Sequence, residues 1–147
     1  MLLRYLFGPV TKTLPASNLA LARQQGDCLT FGAAGQADLS IGPENSWEAI
    51  CARLPDGWRP DFVVLCLAYT SIPAGLWSAP VPLLGLADDW NLLWHHHRRR
   101  LPCCELVLTD SLGAEVLARQ GLQHAREANL FGCPQDFLDA SWPERPR

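Results

Sequence analysis

The sequence predicts an α/β fold, and three observations lead to that prediction. Short apolar runs that suit β-strands alternate along the chain with stretches of helical periodicity. The run at 62–68 is continuously apolar, which is typical of a strand covered on both faces of a parallel sheet. The length of 147 residues allows one domain with a sizeable core, but not two full α/β domains. Such alternation favours a single doubly wound, mainly parallel sheet of the Rossmann-like type.

The N-terminal part of the chain is predicted to supply the first strands and two helices. The first four elements are expected at 4–7 (strand), 18–25 (helix), 28–31 (strand) and 38–41 (short strand). Gly8 and Pro9 should end the first strand in a loop, and Gly26 should stop the first helix at its C′ position. Asn45 is predicted to cap the next helix, with Glu48 three residues on in capping-box spacing.

The C-terminal part repeats the pattern of strand and helix. Further strands are expected at 62–68, 81–86 and 106–109, and a helix at 111–120 that Gly121 closes. An amphipathic helix should follow the strand at 81–86, with Trp90, Leu93, Trp94, His97 and Leu101 on its buried face. The domain is expected to span 1–132, and the polar, proline-bearing residues 133–147 to form a linker or tail.

Composition and charge argue against two classes of partner. The net charge of −3 disfavours nucleic-acid binding, which needs a basic surface to displace counterions from phosphates. No apolar run approaches the roughly 20 residues of a membrane-spanning helix. The N-terminus lacks the basic region, apolar core and cleavage site of a signal peptide, so we expect a cytoplasmic protein.

The six cysteines and the known short motifs point to no cofactor. The cysteines are scattered without a C-x-x-C pair, so we interpret them as reduced core residues and expect no metal site. Neither a G-x-G-x-x-G nor a P-loop motif is present, which leaves dinucleotide and P-loop phosphate sites without support. The chain also lacks a G-x-S-x-G nucleophile elbow, so a hydrolase is not indicated.

The pair Asp88 and Asp89 is the strongest candidate for a functional site. It follows the strand at 81–86, and ligands of open α/β sheets bind at the carboxyl ends of strands. One carboxylate has an ordinary structural explanation, because an Asp at a helix start caps it and favours its positive end. The second has no evident structural role and is a candidate to bind a hydroxyl group or to act as a base toward it.

The run His95-His96-His97-Arg98-Arg99-Arg100 follows directly. Successive helical residues are turned by about 100°, so three consecutive imidazoles cannot face one metal ion. The simplest interpretation is a solvated helix face. The functional alternative is contact with an anion or a lipid headgroup, hence peripheral membrane contact, because arginine pairs with phosphate and tryptophan suits a membrane interface.

Three segments, taken in order, resemble a known family. They are 60–64, 82–94 and 106–110, followed by Gly121 and the run at 129–132. They are similar to the N-terminal half of bacterial GT-B glycosyltransferases, closest to the retaining-type enzymes and the spore-maturation glycosyltransferase group. The likeness spans nearly the whole chain. In that family two Rossmann-like domains face each other across a cleft, the first holding the acceptor and the second the nucleotide sugar.

The resemblance implies an acceptor-side domain with particular site residues. Asp88 and Asp89 would be catalytic, and the acceptor, a small molecule or a glycan, would bind at Gly8, Tyr69, Thr70, Asn91 and His95. Because the donor-clamping residues belong to the second domain, we expect this chain to need a separate C-terminal half for sugar transfer. Two alternatives remain: a non-catalytic α/β module that binds a ligand or a protein, and a degraded gene product without function.

Overall fold

The computed structural model describes residues 3–10, 17–68 and 71–130, and within them a seven-stranded sheet organises the chain. The strand order is β3-β2-β1-β4-β5-β6-β7, and every neighbouring pair is parallel. The predicted fold class, a single-domain Rossmann-like sheet, is confirmed. The expected tail at 133–147 lies outside the described residues.

Strands and helices alternate along most of the described chain. The strands are β1 (Tyr5–Val10), β2 (Cys28–Gly32), β3 (Leu39–Ser40), β4 (Phe62–Cys66), β5 (Leu83–Leu86), β6 (Leu106–Thr109) and β7 (Ala125–Glu127). The helices are α1 (Ser17–Gln24), α2 (Trp47–Cys51), α3 (Ala74–Trp77), α4 (Trp94–His97) and α5 (Ser111–Arg119), and a short 3-10 helix covers Leu101–Cys103. Within the described residues, no helix combines the length and the apolar character needed to cross a bilayer.

The hydrophobic core lies on both faces of the sheet. Val63 and Leu65 of β4 point to the face covered by Ile50 of α2 and Leu117 of α5. On the opposite face, residues of β4 such as Val64 pack in a smaller cluster that partly buried side chains of α1 join. β4 is buried on both faces, as predicted, and this explains why its sequence is continuously apolar.

The first strand differs from the prediction at Gly8 and Pro9. These residues lie inside β1, not in a loop after it, and Gly8 pairs with Leu65 of β4. The pairing of β1 with β2 shifts register between Phe7 and Val10, so Pro9, which has no N–H, sits where the ladder is irregular. Gly8 permits the Phe31 carbonyl to approach, since a Cβ there would lie 2.3 Å from that oxygen.

Hydrogen bonds identify the residues that cap the N-termini of α2 and α5. Ser46, not the predicted Asn45, caps α2 by accepting from the backbone N–H of Ala49. The Asn45 side chain instead accepts from the N–H of Gly42, at 2.8 Å. At α5, Asp110 is the cap, and its Oδ1 accepts from the N–H of Gly113 at 2.6 Å.

The largest departure from the predicted elements follows β5. The expected amphipathic helix is reduced to the single turn α4, and no side-chain hydrogen bond caps its start. Pro102 has no backbone N–H to donate, so an α-helix cannot continue through it, and the chain forms the short 3-10 helix at Leu101–Cys103 instead. Leu93 and Leu101 are buried as predicted, whereas Trp90, Trp94 and His97 are only partly buried. The elements α3 and β7 were not predicted.

Candidate functional site: a cationic cleft at the carboxyl edge of the sheet

The strand order reverses between β1 and β4, which marks where this sheet can hold a ligand. From β1 the chain passes to β2 on one side, and from β4 it passes to β5 on the other. In open α/β sheets the connections leave such a point on opposite faces and open a crevice at the carboxyl ends of the strands. The residues that follow β4 and β5 lie at this edge.

A cavity of about 300 Å³ opens beside the end of β4, and we call it the cationic cleft. Its described lining residues are Ala68, Ser71, Ile72, Trp77, Leu93, His96, His97 and Arg100. Four of these side chains carry nitrogen donors, one carries a hydroxyl, and among the described lining residues none carries a carboxylate. The cleft therefore suits an anionic or hydroxyl-bearing ligand.

The chain around α4 places three of the lining residues on one side. Leu93, which is 2% exposed, anchors this segment in the protein interior. Its carbonyl accepts from the N–H groups of His96 and His97, at 2.9 and 3.0 Å. The N–H of Arg100 then donates to the His97 carbonyl at 2.7 Å. The spacing i, i+3, i+4 and i+7 brings both imidazoles and the guanidinium to the cleft.

His97 is the most constrained donor of the cleft. Its Nε2 atom is buried and has no hydrogen-bond partner among the residues that the structure describes. Burial lowers the pKa of His97, the backbone of Ala68 partly opposes that shift, and the neighbouring His96 adds to it. At neutral pH the imidazole is therefore mainly uncharged and has one nitrogen free for a ligand.

Arg100 supplies the fixed positive charge. Its guanidinium carbon lies 5.8 Å from the centroid of the Trp77 ring, within the range of a cation–π interaction. Trp77 belongs to α3, so this contact links two connections that leave neighbouring strands. Arginine remains protonated at any physiological pH, and its planar fork pairs with two oxygens at once.

Asp88 and Asp89 do not line the cationic cleft. Asp88 is exposed, and its Oδ1 accepts from the backbone N–H of Asp89 at 3.0 Å. The Asp89 carbonyl accepts from the N–H groups of Leu92 and Leu93, so this residue shapes the turn that leads into α4. Asp88 follows β5, whose Leu86 pairs with Cys66, so it lies at the carboxyl edge of the sheet beside the end of β4. Burial raises the pKa of Cys66 to about 12, and the negative charge of Asp88 raises it further.

The other predicted site residues are dispersed. Asn91 is exposed and lines a second groove of about 290 Å³, between the segment around Trp90 and α5. His95 is exposed and is not among the lining residues of the cationic cleft. Gly8 is buried inside β1, where it allows close strand packing. Tyr69 and Thr70 lie outside the described residues.

The residues that line the cleft were only partly visible in the sequence. His96 and Arg100 were assigned to a solvated face, although their spacing from Leu93 was a detectable signal. Trp77 was missed because α3 has only four residues and no side-chain cap.

Within residues 3–10, 17–68 and 71–130, no three His, Cys, Asp or Glu side chains gather as a metal site would require.

Comparisons with known proteins assign no family to this chain. A scan against protein-family models, a search of curated proteins and a search of solved structures each returned no match for this chain. The reversal of strand order and the cationic cleft coincide at the carboxyl edge of β4, where open α/β sheets can hold ligands.

Proposed function

We propose that this chain is a Rossmann-like binding domain and that the cationic cleft holds a small polar ligand. One observation carries the proposal: two imidazoles, a guanidinium and an indole converge on one cavity at the carboxyl edge of β4. The volume of about 300 Å³ lies at the lower end of the range for small-molecule sites. A ligand of the size of a monosaccharide fits that volume.

The second candidate is the acceptor-side half of a glycosyltransferase, and the resemblance of the sequence to the GT-B family motivates it. One geometric observation favours it: the exposed Asp88 follows the end of β5, whose Leu86 pairs with Cys66 of β4, at the same edge as the cleft. An acceptor held in the cleft would then present a hydroxyl group toward Asp88 or Asp89 as the base. The donor sugar nucleotide would be bound by a separate C-terminal half.

Binding without chemistry has the stronger geometric support of the two. The described lining of the cleft contains donors and aromatic surface but no carboxylate, so these residues supply no general base of that type. We also assign the protein to the cytoplasm as part of this proposal. The free thiols of Cys28, Cys51, Cys66, Cys103 and Cys104 support a reducing compartment.

Binding to the cleft is testable by NMR on the ¹⁵N-labelled protein. Glucose, glucuronate and glucose 6-phosphate are titrated in turn, and we expect at least one to shift the amide signals of Ala68, His97 and Arg100 saturably. Trp77→Leu should abolish the shifts, because it removes one wall of the cavity. Trp94→Leu is the matched control, since Trp94 lines the second groove. If none of the three compounds shifts the cleft signals, the proposal fails.

The transferase candidate makes a separate prediction. The chain is mixed with a C-terminal GT-B half, and sugar transfer from nucleotide sugars is measured by release of the nucleotide. Asp88→Asn or Asp89→Asn should lower the rate about 100-fold or more if that carboxylate is the base. The exposed Asp56→Asn serves as the control and should leave the rate unchanged. Absence of transfer with every nucleotide sugar tried would remove this candidate and leave the binding domain.

A further inference from the structure

The cationic cleft is basic, whereas the chain as a whole is acidic. The chain carries a net charge of −3, yet the ionisable groups among the described lining residues are His96, His97 and Arg100. Arg98 and Arg99 are exposed on the same segment and add positive potential near the cleft. A site with this charge attracts anions and discriminates against cations.

The hydrogen-bond donors of the cleft differ in geometry, and this limits which anions can use all of them. Arg100 offers a planar fork for two oxygens, and the buried Nε2 of His97 is a third position without a partner in the described part of the chain. The Ser71 hydroxyl, on the connection after β4, lines the same cavity. A carboxylate has two oxygens to share among these groups, whereas a phosphate monoester has three terminal oxygens.

We infer that the cationic cleft recognises the phosphate group of a phosphorylated small molecule, with Arg100 and Nε2 of His97 as the principal donors. This inference rests on the proposed binding function and gives its ligand a chemical class. The phosphate oxygens satisfy the buried nitrogen of His97, and the guanidinium remains in contact with Trp77 while it binds. His96, which is exposed, closes the outer side of the site.

Binding of a dianion should favour protonation of His97. In the described part of the chain, the groups that line the cavity with His97 are Ser71, Trp77, Ala68 and Ile72 from the connection after β4, none of them ionisable at neutral pH, and His96 and Arg100 from its own segment. Burial lowers the pKa of His97 in the free protein, and an adjacent dianion raises it again. Affinity should therefore increase as the pH falls.

The test is calorimetric titration of the protein with inorganic phosphate, glucose 6-phosphate and sulfate. We expect saturable binding of the phosphate compounds, weakened about tenfold or more by Arg100→Gln and by about threefold or less by Arg99→Gln. Arg100→Lys should also weaken binding, because it retains the charge but loses the fork. Sulfate remains a dianion between about pH 6 and about pH 8. We expect it to bind more tightly at the lower pH, and that difference reflects protonation of the protein and not of the ligand. His97→Gln should reduce that difference.

Several outcomes overturn the inference. Equal effects of Arg100→Gln and Arg99→Gln would show attraction by general charge, and unweakened binding of phosphate and sulfate to His97→Gln would exclude His97 as a donor. If glucose shifts the cleft signals but phosphate compounds do not bind, the phosphate inference fails while the proposed function stands.

A further arm distinguishes the source of the phosphate. Binding to phosphatidylcholine vesicles that contain phosphatidic acid, dependent on Arg100 and without binding of glucose 6-phosphate, would support phosphate recognition and assign it to a lipid headgroup. Binding of glucose 6-phosphate without vesicle binding would assign it to a soluble metabolite.

Discussion

Gly8→Ala is expected to lower the free energy of unfolding by about 3 kcal/mol or more, the largest effect that we predict for a single methyl group. An added Cβ would lie 2.3 Å from the Phe31 carbonyl oxygen, which belongs to the backbone of the neighbouring strand and cannot rotate away. Relief requires β1 and β2 to separate, although each is held by a further strand on its other side. Urea unfolding followed by circular dichroism measures the change.

Gly42→Ala is the matched control for that experiment. The nearest atom to a Cβ at this position is the Asn45 side-chain oxygen, at 3.8 Å, which is ordinary van der Waals contact. We expect a change within about 0.5 kcal/mol. Equal stability of the two variants would contradict the close approach of β1 to β2, and with it the buried position of Gly8 that replaces the predicted loop.

Leu93→Ala is expected to cost about 2 to 5 kcal/mol, the range for truncating a buried leucine. Leu93 is 2% exposed and lines the inner side of the cationic cleft, so the truncation removes packing beneath α4 as well as apolar burial. Its neighbour Leu92 is 62% exposed, and Leu92→Ala should change stability by about 0.5 kcal/mol or less.

The same pair of variants tests whether the cleft depends on this anchor. Leu93→Ala should reduce ligand binding even under conditions where the variant remains folded, because the imidazoles and Arg100 follow the position of α4. Leu92→Ala should bind normally. Similar losses of stability in both variants would mean that the segment around α4 does not pack as described.

The core strands could be predicted from the sequence because burial on both faces leaves a readable apolar run. β4 and β6 were predicted at or near their observed bounds for that reason. β7 was missed because Ala-Arg-Glu has no apolar pattern, and these residues become a strand by pairing with β6 at the edge of the sheet. Edge pairing of this kind depends on tertiary contacts that a local pattern does not encode.

The candidate site could be predicted only as a region. The sequence drew attention to the residues after β5, and the functional alternative for the histidine and arginine run was contact with an anion. It did not show that Ala68 and Trp77, from the connection after β4, complete the cavity. The sequence pattern also predicted one amphipathic helix that starts near Asp88 and reaches Arg100. In the structure this helix is the single turn α4, and the Asp88 carboxylate does not line the cleft.

The most direct test of the account is a crystal structure of the protein grown with glucose 6-phosphate. The account predicts the strand order β3-β2-β1-β4-β5-β6-β7 with the ligand in the cationic cleft, its phosphate within hydrogen-bond distance of Arg100 and of Nε2 of His97. A ligand bound elsewhere on the molecule, with the cleft occupied by water, would contradict the assignment of this cleft as the functional site.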